Sequence, residues 1–317
     1  MNSRMHNGGC GSARLPLSRR SYTSRVNPAS AQTPPGAPAR LNLRSLAQMA
    51  RSGQPFACLT CYDATTARWL ERAGIHLLLV GDTAAEVILG FPNTLHMPLE
   101  LSLALTAGVK RGAPATPVMG DMPFMSYQAS PDDALRNAGR YLTEGLADIV
   151  KIEADESFAP LVERMTRTGI PVCGHVGTRP QLSRLSGGYT AAGRTPEAAA
   201  RIVADAVALE QAGCVMLLVE AVPPQVAEEI MARTSVPLIG IGAGPACHGQ
   251  VLVLQDLLGL THWQPGFANP VVHLGPQIQQ AAEQWIARVA GRAATDHRYH
   301  MQTVPHTTQE PEPRSRS

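Results

Sequence analysis

Eight short apolar runs recur through this chain, with helix-like segments between most of them, and that alternation restricts its possible folds more than any other feature. The runs are FACLTCYD (56–63), HLLLVGD (76–82), TPVMGDMP (116–123), DIVKIEA (148–154), PVCGHVG (171–177), CVMLLVEAV (214–222), PLIGIGAG (237–244) and a weaker QVLVLQD (250–256). Nearly continuous apolar runs suit strands covered on both faces, as in parallel sheets. Between them, SPDDALRNAGRYLTEG opens on a Ser130 cap with proline in the first turn and closes on Gly145. TPEAAARIVADAVALEQAG repeats that arrangement from Thr195 to Gly213. Repeated β-then-α order requires parallel strands joined by right-handed crossovers. Eight such units predict an α/β fold of the (β/α)8 TIM barrel kind, a single domain over 41–290, rather than an open doubly wound sheet. No G-x-G-x-x-G opens an early helix, so a dinucleotide fold has little support.

Within DIVKIEA, Val150, Ile152 and Ala154 share one strand face while Lys151 and Glu153 share the other. Two charges on an inner face are costly there without a task. Other polar groups gather at the same strand ends: Asp63, Asp82, Asp121, His175 and Glu220. That rim is where barrels of this class assemble an active site from several strands. A strand-end aspartate taken alone is more simply a helix cap or turn former. Asp82 and Asp121 fit that account less well, because LLLVGD and PVMGD drop from apolar residues straight to Gly-Asp. Glycine before the acid allows close backbone approach to a ligand. Asp82, Asp121 and Glu153 meeting at one mouth would repel one another. A hard divalent cation resolves this, and few protein carboxylates completed by substrate oxygens is the Mg2+ pattern. His175 reads equally as a core histidine or a site residue. Glu220 follows an apolar run, so burial is expected to raise its pKa toward the range of a general base. The glycines of GIGAG (240–244) are better explained by chain turning than by a phosphate cradle.

Composition removes other classes. The chain has 317 residues and no uninterrupted apolar run of the ~18 residues a membrane helix needs. Residues 1–62 carry eight arginines and no acid, leaving 19 basic and 25 acidic side chains in the remainder. An acidic body gives no footing for nucleic acid. Residues 1–40 predict a disordered extension, and 291–317 a largely disordered tail. The acid-free N-terminus also matches a mitochondrial transit peptide, an alternative to a cytoplasmic location. Lys110 and Lys151 are the sole lysines beside 25 arginines; Lys151 therefore marks a place for a compact point charge. CLTC (58–61) has no second pair for zinc, and the cysteines read as buried reduced thiols.

Taken in order, the blocks LTCYDATTA, LLVGDT, GDMPFMSYQ, VKIEA, PVCGHVG, GGY, GR, LVEAVP and IGIGAG…GQVLV resemble the ketopantoate hydroxymethyltransferase family, from about 59 to 260. The resemblance implies a barrel of the phosphoenolpyruvate/pyruvate type in a cytoplasmic homo-oligomer, often a decamer. It implies metal-site aspartates at Asp82 and Asp121, with Glu153 as the acid of the metal's outer surroundings. Lys151 would bind substrate together with Asp82, Asp121 and Thr83, the last standing where the family usually has serine. Glu220 would be the proton acceptor. The implied cofactor is Mg2+ and the implied co-substrate 5,10-methylenetetrahydrofolate. The implied reaction passes through a Mg-stabilised enolate of 3-methyl-2-oxobutanoate to 2-dehydropantoate, in pantothenate and coenzyme A synthesis. Four features depart from the pattern. GDTAAEVI replaces GDSLGMVV and adds Glu86; Leu105 replaces a histidine; the lysine after GGY is absent; His248 stands where DGQ is common. These leave room for a Mg-dependent carbon–carbon lyase or mutase acting on another 2-oxoacid, or for an inactive barrel serving in an assembly.

Overall fold

All eight expected strands are present. They are β1 (Phe56–Thr60), β2 (Leu77–Val80), β3 (Val118–Asp121), β4 (Ile149–Glu153), β5 (Val172–Gly177), β6 (Met216–Glu220), β7 (Leu238–Ile241) and β8 (Gly249–Leu252). The structure, a computed structural model, describes residues 40–293 and Met301. The expectations for the two ends, the extension over 1–40 and the tail over 291–317, therefore lie almost wholly outside the described residues. Every strand pairs in parallel with its neighbour in chain order, and β8 pairs back to β1, closing the barrel. The crossover helices begin as their sequences demand. Ser130 Oγ accepts from the Asp133 amide at 3.1 Å at the head of Pro131–Thr143. Thr195 Oγ1 accepts from the Ala198 amide at 3.2 Å at the head of Pro196–Gln211. The β7–β8 connection (242–248) carries no helix.

Strand alternation sorts the core into two bodies. Val150, Ile152 and Ala154 face outward and pack with the helices, whereas Ile149 joins Cys58, Met119, Cys173, Met216 and Ile239 inside the barrel. The helix Leu43–Arg51, which the strand and helix patterns left unassigned, adds Leu46 and Met49 to this inner body and plugs one end of the cylinder. Asn42 fixes its start, its Oδ1 accepting from the Ser45 amide at 3.0 Å. Among the described residues no helix is long and apolar enough to cross a membrane. Cys58, Cys61, Cys173, Cys214 and Cys247 are buried free thiols.

Candidate active site

Two residues beyond the apolar filling, the inward-facing rows turn polar: Met119 leads to Asp121, Ile149 to Lys151 and Glu153, Cys173 to His175, and Leu218 to Glu220. Asp82, Asp121, Lys151, Glu153 and His175 are all buried. Lys151 Nζ lies 2.7 Å from Asp121 Oδ1. This is an ion pair by distance, but its angles leave Oδ1 without a formed hydrogen bond. Asp121 Oδ2 accepts from the Asp82 backbone amide at 3.0 Å. The Gln181 side-chain amide donates to Asp82 Oδ2 at 3.0 Å, and its backbone amide donates to Glu153 Oε2 at 3.0 Å. Glu153 Oε1 has no hydrogen-bond partner. His175 stands between the cation and the rim, with Nδ1 3.5 Å from Lys151 Nζ and Nε2 3.3 Å from Glu220 Oε2. The Tyr62 and Thr83 hydroxyls are 2.7 Å apart.

Burial dominates the electrostatics. It lifts Asp82 well above the ordinary carboxylate range, and the charge of Asp121 adds to this. It lifts Glu153 likewise, reinforced by Asp82. For Lys151 burial pulls the other way, but Asp121, Asp82 and Glu153 outweigh it and hold the ammonium above an ordinary lysine. Burial and the neighbouring Lys151 charge lower His175, so its imidazole is neutral near pH 7 despite Glu220. The floor thus holds three buried carboxylates against one buried ammonium. An excess of buried negative charge calls for a cation or for protons.

Asp82, Thr83, Asp121, Lys151, Glu153 and Glu220 all line one cavity of about 870 Å3. Two sequence expectations need adjustment. Glu220 is less enclosed than its apolar approach suggests, at 22% side-chain exposure, because it ends β6 at the rim. The glycine before Asp121 serves internal packing rather than a ligand: a Cβ on Gly120 would lie 2.3 Å from the Tyr141 ring. The three carboxylates expected at one mouth share the cavity, and among the described residues no group of three or more His, Cys, Asp or Glu side chains forms a cage by itself. Asp63 takes the plain role of helix cap, accepting from the Thr65 and Thr66 amides at 2.8 and 2.9 Å.

Gln181, which links Asp82 to Glu153, escaped sequence reasoning. It sits in a short turn (Pro180–Leu182) with no periodic pattern to single it out. Tyr62 stood in view within LTCYD, but its partner Thr83 is distant in sequence. Of the departures from the family pattern, Glu86 and Thr190 line the cavity and Leu105 and His248 do not. Leu105 packs against the outer core, while His248 Nδ1 accepts from the Leu238 amide at 3.1 Å at the start of β7.

The family pattern for ketopantoate hydroxymethyltransferase matches residues 40–294. Named relatives are the 3-methyl-2-oxobutanoate hydroxymethyltransferases of Trichodesmium erythraeum and Halorhodospira halophila. The first is 43% identical over 78% of this chain and 95% of its own length. The second is 44% identical over 78% of this chain and 89% of its own length. Among solved structures, phosphonopyruvate hydrolase in complex with oxalate and Mg++ aligns at TM-score 0.55 and 13% identity, covering 80% of this chain and 88% of that one. A 2,3-dimethylmalate lyase of the PEP mutase/isocitrate lyase superfamily aligns at 0.52 and 18%, covering 81% and 91%. At such identities the likeness concerns fold alone, and it agrees with the closed (β/α)8 barrel. The family match extends across almost every described residue and the relatives align over nearly their whole length, so this chain belongs to the ketopantoate hydroxymethyltransferase family and is an enzyme of that kind.

Proposed function

We propose that this enzyme moves a hydroxymethyl group from 5,10-methylenetetrahydrofolate to 3-methyl-2-oxobutanoate, giving 2-dehydropantoate. The observation that carries the reading is the negatively charged floor of the cavity, with one ammonium beside it and one carboxylate at its rim. Glu153 Oε1, which has no hydrogen-bond partner, and the carboxylates of Asp82 and Asp121, the latter ion-paired with Lys151, are hard oxygen donors of the kind that Mg2+ takes. Asp82 and Asp121 would hold the ion, and Glu153 would stand in its outer surroundings. Waters and substrate oxygens complete such a shell, so no full protein cage is needed. A bound Mg2+ would supply Lewis-acid polarisation of the oxoacid carbonyl.

The chain's own groups account for the rest. Lys151, its charge secured by three acids, would face the substrate carboxylate and the oxygen that gains charge when C3 loses its proton. The Thr83 hydroxyl, steadied by Tyr62, would orient the same carboxylate. Glu220 would accept the C3 proton, with neutral His175 beside its carboxylate at 3.3 Å. The C3 carbanion equivalent then forms the carbon–carbon bond to the donor's methylene carbon. The methylene's bonds to nitrogen break toward nitrogen, releasing tetrahydrofolate, and one water supplies the hydroxyl oxygen. A place in pantothenate and coenzyme A synthesis, a cytoplasmic location and a homo-oligomer of up to ten chains belong to the same proposal. The helix Leu274–Ala290 supports the oligomer, since Ile278, Trp285, Ile286 and Val289 lie exposed along it.

The test is turnover by metal-stripped enzyme with oxoacid and 5,10-methylenetetrahydrofolate, with and without Mg2+. Mg2+-dependent formation of 2-dehydropantoate is expected. Cleavage or rearrangement of a 2-oxoacid without any folate would point to the lyase or mutase reading instead.

A further inference from the structure

The oxoacid reading occupies only the floor of the cavity. Such a substrate has about eight non-hydrogen atoms, whereas cavities of roughly 300–1,000 Å3 enclose drug-sized ligands. This one measures about 870 Å3. Its walls also carry apolar and aromatic side chains, among them Val87, Val222, Trp263 and Phe267. Trp263 is 71% exposed, a ring presented to the cavity mouth with little protein covering it. Among these walls stands Glu86, a carboxylate where the family's usual sequence has an apolar residue. Its Oε1 accepts from the Tyr189 hydroxyl at 3.1 Å. Burial lifts its pKa; the Tyr189 bond works against this, while Asp256 and Glu220 add to it. Tyr189 is its one protein donor among the described residues, and two adjacent N–H donors on a flat partner would match its fork.

We propose that Glu86 recognises the edge of the one-carbon donor's reduced pterin that carries the ring N3–H beside the 2-amino group. The pterin ring would lie toward Trp263 and Phe267, and Tyr189 would hold the Glu86 carboxylate in place. This rests on the folate reading above and adds to it the residue that reads the donor. Flat rings gain from aromatic walls, and paired N–H groups gain from an ionised acceptor more than from a neutral one. Glu86 thereby discriminates between donors without itself taking part in the proton transfer.

The experiment measures binding of tetrahydrofolate and of its 2-desamino analogue, in the presence of oxoacid and Mg2+, to wild-type enzyme, Glu86→Met and Glu86→Gln. Loss of a charge-assisted contact should weaken tetrahydrofolate binding about 10- to 100-fold in both variants. Removing the amino group should cost the wild type a similar factor and cost the variants little, the signature of a direct pair. Solvent deuterium exchange at C3 of the oxoacid, read in the same samples, reports that the fold and floor are intact. If both variants bind tetrahydrofolate as wild type does, or if losing the amino group weakens all three equally, Glu86 does not read the pterin. If wild-type enzyme exchanges the proton but neither binds tetrahydrofolate nor uses its methylene derivative, the folate reading itself fails.

Discussion

The two ends of the barrel interior are built from the same strands and obey opposite rules. At the lower end Cys58, Leu77, Met119, Ile149, Met216 and Ile239 fill the cylinder, and the plug helix closes it with Leu46 and Met49. Two residues further along, Asp121, Lys151 and His175 occupy the next inward positions, and Glu153 follows two beyond Lys151. Burial stabilises the lower layer, by roughly 25 cal/mol for each Å2 of apolar surface removed from water. It penalises the upper layer, where every ionised group has left water. The fold holds the upper layer together through specific pairs, such as Lys151 with Asp121 and Gln181 with Asp82 and Glu153. Stability and chemistry are thus separated along the strand axis.

The largest effect should come from breaking a pair in the upper layer. Lys151→Met leaves the carboxylates without their cation; removal of one partner from a buried ion pair costs about 3–5 kcal/mol. Both a lowered denaturation midpoint and loss of turnover are expected, and unchanged stability would mean the acids do not depend on Lys151. The lower layer gives the contrast. Met119→Ala should cost about 2–5 kcal/mol through lost packing, while folded molecules keep a kcat close to wild type. A fall in kcat as large as the Lys151 variant's would erase the distinction between the two ends.

A pH titration sharpens it further. Asp82 and Glu153 have folded-state pKa values raised by burial, so without a cation the folded protein retains protons that the unfolded chain has released. Its stability should fall as pH climbs from the ordinary carboxylate range toward those raised values. Mg2+ requires the ionised acids, so the rise in Tm that it brings should grow over the same interval. Saturating Mg2+ at about 100 times its Kd would be worth about 2.7 kcal/mol. A Tm shift independent of pH would separate the ion from these carboxylates. The smallest effect concerns Ala221, a non-glycine residue at φ 47 immediately after Glu220. Ala221→Gly should gain up to about 1 kcal/mol by relieving that conformation while loosening Glu220 and slowing proton removal a few-fold.

Much of this was legible beforehand because two periodicities coincide. Alternation within DIVKIEA put Lys151 and Glu153 on the inner face and Val150 and Ile152 against the helices, and the barrel follows suit. The turn residues around Pro131–Thr143 and Pro196–Gln211 fixed those helices through local caps. What escaped is non-local. Gln181 matters because it reaches across the cavity to Asp82, 99 positions earlier, and no local pattern records that. The exposure of Glu220 depends on where β6 meets the rim, and the need for Gly120 on the placement of the Tyr141 ring. Glu86 was visible as a departure, but its meeting with Tyr189 needs the closed barrel.

The most direct measurement is the rate at which C3 of 3-methyl-2-oxobutanoate takes up deuterium from solvent, with Mg2+ present and no folate, in wild-type enzyme and in Glu220→Gln. The account predicts exchange in the wild type and a drop of about 100-fold or more in the variant, the usual worth of a positioned base. Exchange in Glu220→Gln at the wild-type rate would contradict it.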